Sequence, residues 1–254
     1  MKYIIFDLDD TILNGKSQIT KYTSKILTKA KSLGYIIVIN TARSLLNTQE
    51  LFEIIKPDYA IYGGGSIIVD KNNNPIYLDV ISKDTTNSIL KILLKEDIAE
   101  KITIETVDNL YSSDLEYVKL NPNRTYFDFN NEFPYLPIKI LTWSNNQDRL
   151  RELAKENNLN YINYRHGPWG RFSSSSKYLG NKKLFELLND NNPLDYVFGD
   201  DIGDLEMIQK AYEGVLLKNA NKSLHSQVKN ITKKTNKHNG VAKYVNKVLK
   251  KDAN

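Results

Sequence analysis

The feature that most constrains this chain is a pattern used three times: a short, unbroken apolar run that stops on a carboxylate or a hydroxyl. Tyr3 to Phe6 runs into Asp7-Leu8-Asp9-Asp10-Thr11, Tyr35 to Asn40 into Thr41-Ala42-Arg43, and Tyr196-Val197-Phe198 into Gly199-Asp200-Asp201-Ile202-Gly203-Asp204. Runs of this length without polar alternation predict parallel strands covered on both faces. Their polar residues then collect at the carboxyl ends of the strands, where open α/β sheets bind ligands.

Helical spacing fills the gaps between the runs. Tyr22, Ile26, Leu27, Ala30 and Leu33 mark one face of a helix, with Thr20 placed to cap its start and Gly34 its end. A second helix is predicted through Leu45, Leu46, Phe52 and Ile55, terminated by Pro57, and Tyr59 to Tyr62 gives a further strand. From about residue 66 the texture changes. Ile67-Ile68-Val69 and Ile76-Tyr77-Leu78 flank a turn-rich stretch, a hairpin signature. Strands at Ile102 to Thr106, Ile138 to Thr142 and Tyr161 to Tyr164 then alternate with helical patterns, and the parallel texture returns with a helix near Leu184 to Leu188. The expected fold is an α/β core with a doubly wound, Rossmann-like parallel sheet, residues 1–78 and 171–254, carrying an inserted α+β domain over 79–170.

Composition narrows the function classes. At 254 residues with 41% apolar content, the chain buries a sizeable core. No stretch nears the roughly 20 apolar residues of a membrane helix. The first apolar run meets aspartates before reaching secretory length, so it reads as a strand and the expected location is cytoplasmic. With no cysteine, disulfides, thiolate metal sites and cysteine nucleophiles are excluded. The net charge of +5 comes with lysines after Lys218 spread through helical sequence with almost no aromatics between them. They read as a solvated face, and nucleic acid is not an expected partner.

Each strand end admits a chemical and a bland reading. Asp7 and Asp9, two positions apart on a turn, can point differently, one toward a phosphorus atom and one toward a leaving-group proton; an acidic turn that merely ends a strand is the alternative. Thr41 can hydrogen-bond a phosphate oxygen beside a helix start or can simply cap that helix. The carboxylates after Phe198 suit magnesium, which takes one or two protein carboxylates and keeps several waters. His166, His225 and His238 lack a partner histidine at metal spacing and read as structural. Neither a Gly-x-Ser-x-Gly elbow nor a P-loop is present.

Asp7-Leu8-Asp9-Asp10-Thr11, the Thr41 strand end and Gly199-Asp200-Asp201-Ile202-Gly203-Asp204 resemble motifs of the haloacid dehalogenase superfamily, in its Cof-type sugar-phosphatase branch. The resemblance extends through Pro57 to Gly65, the Asn219-Ala220 pair and Asn239-Gly240-Val241-Ala242. It implies a core with a large inserted α/β cap that selects substrate. It implies Asp7 as a nucleophile forming an aspartyl-phosphate, Asp9 as general acid and base, and Thr41 as a ligand of the transferring phosphoryl group. Asp10, Thr11, Ala42, Arg43, Gly64 and Asn219 are implied around the phosphate and substrate. Magnesium is implied at Asp7, Asp200, Asp204 and the Asp9 backbone carbonyl. A phosphate-neutralising lysine is also implied, and Lys182, before the Leu184, Phe185 and Leu188 face, is favoured over Lys177. Gly203 departs from the family, which commonly has Asn there. Trp169 and Arg171 either touch substrate or pack at the junction.

The implied activity is magnesium-dependent hydrolysis of a small phosphomonoester by a monomer or weak homodimer. A phosphomutase keeps the chemistry but returns the phosphoryl group to another hydroxyl; a phospho-aspartate signalling protein is the rival from a different class. The inserted domain and the second carboxylate, Asp9, argue against the latter.

Overall fold

The computed structural model describes residues 1–121, 124–165 and 167–252. In chain order the strands are β1 (Lys2–Phe6), β2 (Tyr35–Asn40), β3 (Tyr59–Tyr62), β4 (Ile67–Asp70), β5 (Pro75–Leu78), β6 (Lys101–Glu105), β7 (Leu110–Ser112), β8 (Thr125–Tyr126), β9 (Lys139–Trp143), β10 (Asn160–Asn163), β11 (Trp169–Ser173), β12 (Leu194–Gly199), β13 (Glu213–Leu216) and β14 (Asn230–Ile231). The helices are α1 (Lys21–Ser32), α2 (Gln49–Ile55), α3 (Lys83–Lys95), α4 (Leu115–Leu120), α5 (Gln147–Glu156), α6 (Lys177–Leu187), α7 (Ile202–Lys210), α8 (Lys222–His225) and α9 (Gly240–Lys251). None is long and apolar enough to cross a membrane among the described residues.

The chain divides into two compact units. The first comprises Met1–Arg43, Asn47–Tyr77 and Lys177–Asn254. Its sheet runs β14-β13-β12-β1-β2-β3-β4-β5, parallel from β14 through β3 and antiparallel at the β3–β4 pair. Strand order therefore reverses at β1, which is flanked by β2 on one side and β12 on the other. The apolar alternation explains the layers: Tyr3, Ile5, Val38, Val197 and Leu216 point to one face and pack with Leu184 of α6 and Met207 and Ile208 of α7. Thr20 caps α1 by accepting a hydrogen bond from the Thr23 N–H, and Gly34 follows its end with φ +82°.

The second unit comprises Ser44–Leu46 and Leu78–Ser176. Its sheet runs β10-β11-β9-β6-β7-β8, antiparallel except for the β7–β8 pair. One face, through Ile102, Ile104, Ile140 and Phe172, packs with Ile89, Leu90 and Leu93 of α3 and Leu150 and Leu153 of α5. The sequence boundary at 170/171 is corrected here. β11 is an internal strand of this sheet, hydrogen-bonded to β9 and β10, so the return falls after Ser176.

Gly214 of β13 shows how closely α7 lies on the first sheet. A Cβ there would stand 1.8 Å from the Ile208 carbonyl oxygen, which is backbone and cannot swing away. Gly214→Ala is expected to cost about 3 kcal/mol or more, the scale of a core steric conflict. Thermal unfolding checks this: a melting temperature within a degree of the parent would show that α7 yields freely.

Candidate active site

β1 ends at the point where strand order reverses, and the ladder continues one residue beyond it: the Asp7 N–H donates to the Phe198 carbonyl at 3.1 Å. Asp7 is thereby held in extended backbone with its side chain 11% exposed. Burial pushes its pKa up to about 7; Lys177 opposes that rise, and the neighbouring Asp204 carboxylate adds to it.

Two more carboxylates close on the same spot from β12 and α7. Asp200, at the end of β12, accepts a hydrogen bond from the Thr11 hydroxyl at 2.9 Å. Asp204, fully buried, accepts from the backbone N–H groups of Asp200 at 2.9 Å and Asp201 at 3.0 Å, while the Asp201 side chain caps the start of α7. A Cβ on Gly199 would stand 2.3 Å from the Asp204 Cβ, so the glycine before the acidic run is what admits Asp204. Lys177 Nζ lies 2.9 Å from Asp7 Oδ1 and 2.5 Å from Asp204 Oδ1. Burial pulls the ammonium's pKa down, but Asp204 and Asp7 together outweigh it and hold the group charged.

Carboxylate oxygens of Asp7, Asp200 and Asp204 all lie within 4.8 Å of one another, and all three residues are buried. Three buried carboxylates against one ammonium leave an excess of negative charge, and the donors are oxygen without imidazole or thiolate. That donor set fits a hard divalent cation.

After Asp7 the chain makes a wide turn over Leu8–Ile12, with Asp9 extended at ψ 134° and Asp10 left-handed at φ 51°. This backbone sends Asp7 inward and Asp9 outward. The Asp9 carboxylate is 51% exposed and receives a bidentate pair from Arg43, Nε to Oδ2 at 2.7 Å and Nη2 to Oδ1 at 2.5 Å. Thr41 is 1% exposed, and its hydroxyl accepts from the Arg43 N–H at 3.2 Å, with Ala42 between them in the same loop.

Several expected positions carry a different job. Lys182 is corrected: it is exposed and stands five residues along α6 from Lys177, about 140° around the helix at 100° per residue. Gly64 spends its N–H on the Thr41 carbonyl at 2.9 Å, bracing that loop. Asn219 donates to the Asp10 carbonyl at 2.7 Å and accepts from the Asn236 N–H at 2.9 Å, so it braces the turn. Thr11 likewise faces Asp200. Asp10 is exposed, with Oδ1 accepting from Asn236 Nδ2 at 3.2 Å. His225 and His238 stand outside the carboxylate group, and His166 lies outside the described residues.

Two asparagines with structural work at the site were missed in the sequence. Asn236 clamps the turn through Asp10 and the Leu13 carbonyl, and Asn40 donates to the Lys177 carbonyl at 2.8 Å and to Asn181 Oδ1 at 2.7 Å, pinning the start of α6. Asn40 alone had a visible signal, as the polar end of an otherwise apolar run.

Comparison with known proteins bears on this geometry. Residues 4–245 match the family described as haloacid dehalogenase-like hydrolases. A putative phosphatase of Buchnera aphidicola subsp. Baizongia pistaciae is 26% identical, with 98% of each chain covered. The 5-amino-6-(5-phospho-D-ribitylamino)uracil phosphatase YcsE of Bacillus subtilis is 26% identical over 96% of this chain and 94% of its own. The structure of a haloacid dehalogenase-like hydrolase from B. subtilis superposes with a TM-score of 0.81 at 24% identity, covering 97% of this chain and 99% of that one.

The two lysines separate by stability alone. Lys177→Met strands buried carboxylates and is expected to cost roughly 3–5 kcal/mol near neutral pH, whereas Lys182→Met should stay within about 0.5 kcal/mol of the parent. Denaturant unfolding of both variants decides it, and the reverse ranking would return the buried role to Lys182.

Proposed function

This chain belongs to the haloacid dehalogenase-like hydrolases, as an enzyme of the phosphatase type, and we propose that it hydrolyses a small phosphomonoester through an aspartyl-phosphate, with magnesium as its cation. The observation that carries the reading is the Asp7, Asp200, Asp204 and Lys177 cluster at the carboxyl end of β1. The name of the relative YcsE, a phosphatase of a ribitylaminouracil phosphate, supports a small metabolite ester as the substrate class.

In this reading an Asp7 oxygen attacks phosphorus in line as the bond to the leaving oxygen breaks. Lys177 fixes the carboxylate's direction and offsets charge on the phosphoryl oxygens. The Thr41 hydroxyl receives one of those oxygens. Asp9 protonates the leaving alcohol and then takes a proton from the water that opens the aspartyl-phosphate, which frees Asp7 and releases phosphate. The Arg43 pair holds Asp9 toward the open side of the site and supplies a cation near the incoming ester. Asp7, Asp200 and Asp204, with the Asp9 carbonyl, would hold magnesium, which when bound neutralises and orients the phosphoryl oxygens.

The direct test is phosphate release from a panel of phosphomonoesters in the presence of magnesium. Asp7→Asn is expected to abolish turnover by several orders of magnitude while the protein stays folded. More than about a tenth of parental activity in that variant would remove Asp7 from the nucleophile's role.

Asp200→Ala addresses the cation. Loss of one carboxylate from so small a donor set should shift the magnesium titration of activity to at least about tenfold higher concentration. Superimposable titrations for variant and parent would place the cation away from Asp200.

A further inference from the structure

The first unit has a cavity of about 330 Å³ at the end of its sheet where β12 begins and α7 finishes, away from the Asp7 cluster at the strands' carboxyl ends. That volume is at the small end of ligand pockets. Its walls are held by contacts elsewhere in the fold. Phe185 of α6 sets its ring against Tyr3 of β1, with centroids 4.9 Å apart. Asn181, one turn earlier on α6, accepts from Asn40 Nδ2 at 2.7 Å and places its own Nδ2 3.8 Å from Met207 Sδ of α7. The space is shaped before anything occupies it, which lowers the cost of binding.

Asp195 is the lining residue that packing does not account for. It is the second residue of β12 and 7% exposed. Its Oδ1 accepts from the Tyr212 N–H at 2.8 Å, and among the described residues it has no ion pair. Burial pushes its pKa up, and only the backbone N–H groups of Tyr212 and of Asp195 itself oppose the rise. Buried carboxylates ordinarily take a charged partner. Two ammonium groups belong to the same cavity without supplying one: Lys182 and Lys210 both line it, and both are exposed. The cavity therefore has an anion at its buried side and cations toward solvent, with apolar surface from Phe185, Pro193, Met207 and Ala211.

We propose that this cavity binds a free α-amino acid with an apolar side chain, its ammonium on Asp195, its carboxylate on Lys182 and Lys210, and its side chain against Phe185, Pro193 and Met207. An ammonium brings three donors and the positive charge that a buried carboxylate lacks. An amine alone leaves the two lysines as like charges near it, and an acid alone meets Asp195 in the same way, so the zwitterion is selected over either half. The bound molecule lies against Asn181 and Met207, each one helical turn beyond Lys177 and Asp204, beside the two helices that deliver those groups to the carboxylate cluster. The phosphatase reading is not needed for this site, because it is read by binding without turnover.

Isothermal titration calorimetry of the full-length protein tests it, with L-phenylalanine, L-leucine and L-methionine as probes and glycine as the control that has no apolar body. For the tightest of the three, the matching amine without a carboxylate and the matching acid without an amine are titrated as well. The expected result is saturable binding of at least one probe, with glycine, the amine and the acid each at least tenfold weaker. Asp195→Asn keeps an oxygen for the Tyr212 N–H but removes the charge, and it should weaken the best probe at least tenfold. Circular dichroism checks that this variant is folded. Should it fail to fold, the double variant Lys182→Gln with Lys210→Gln, at two exposed positions, takes its place with an expected threefold or greater loss. The proposal is overturned if no probe gives a saturable heat, if the amine or the acid binds as well as the amino acid, or if the folded variant keeps the parental affinity.

Discussion

One buried ammonium organises the first unit. Lys177 lies between Asp7 and Asp204, groups delivered by β1 and α7, and without it three carboxylates would crowd one desolvated spot. Charge in a low-dielectric setting is tolerated only when paired and hydrogen-bonded. Much of the surrounding structure is arranged to satisfy that condition. Asn40 fixes the Lys177 carbonyl, the Asp200 and Asp201 amides hold Asp204, Thr11 holds Asp200, and Gly199 leaves the space Asp204 fills. The rise of the Asp7 pKa to about 7 comes first from burial, with Lys177 opposing it and the Asp204 carboxylate adding to it.

The same accounting explains the division of labour between Asp7 and Asp9. Two carboxylates two residues apart on a regular strand would share a face, and both would be buried. The turn prevents this by placing Asp10 at φ 51°, a conformation that carries a side-chain penalty and persists only when its surroundings fix it. Asn219 and Asn236 supply that fixation, bonding the Asp10 carbonyl and carboxylate from a segment more than two hundred residues later in the chain. Local strain at the site is thus compensated by distant side-chain amides, and the outward carboxylate is met by Arg43 rather than by solvent alone.

What the sequence disclosed, and what it hid, follows from the physics of each signal. The parallel core, its hairpin and the three polar strand ends were legible because hydrophobic burial writes a periodic pattern, and a buried strand that stops on aspartate breaks it visibly. Lys177 was not ranked first because α6 has no such pattern: its buried face is Lys177, Gly180, Asn181 and Leu184, at the spacing of a helix but with one apolar side chain among the four. The apolar residues near Leu184 therefore drew the predicted start of the helix too late, and the lysine with it. The same blindness covered Asn219, whose match to a family pattern gave its identity but not its job, and Asn236, which belongs to a polar C-terminal stretch without periodicity. The return boundary slipped to residue 170 because β11 mixes Trp169, Gly170 and Arg171 and reads as a loop until its partners β9 and β10 are seen.

The two units place polar groups by opposite means. In the first, each ionisable group at the strand ends has its partners from within the fold, down to the backbone amides on Asp204, so the geometry is fixed before any ligand arrives. In the second, the Glu105 and Lys139 pair closes only half of the carboxylate, since a cross-strand neighbour can reach one oxygen and the register puts aliphatic Leu110 on the other side. A satisfied cluster gives direction and charge, which is what bond-making chemistry requires of its residues.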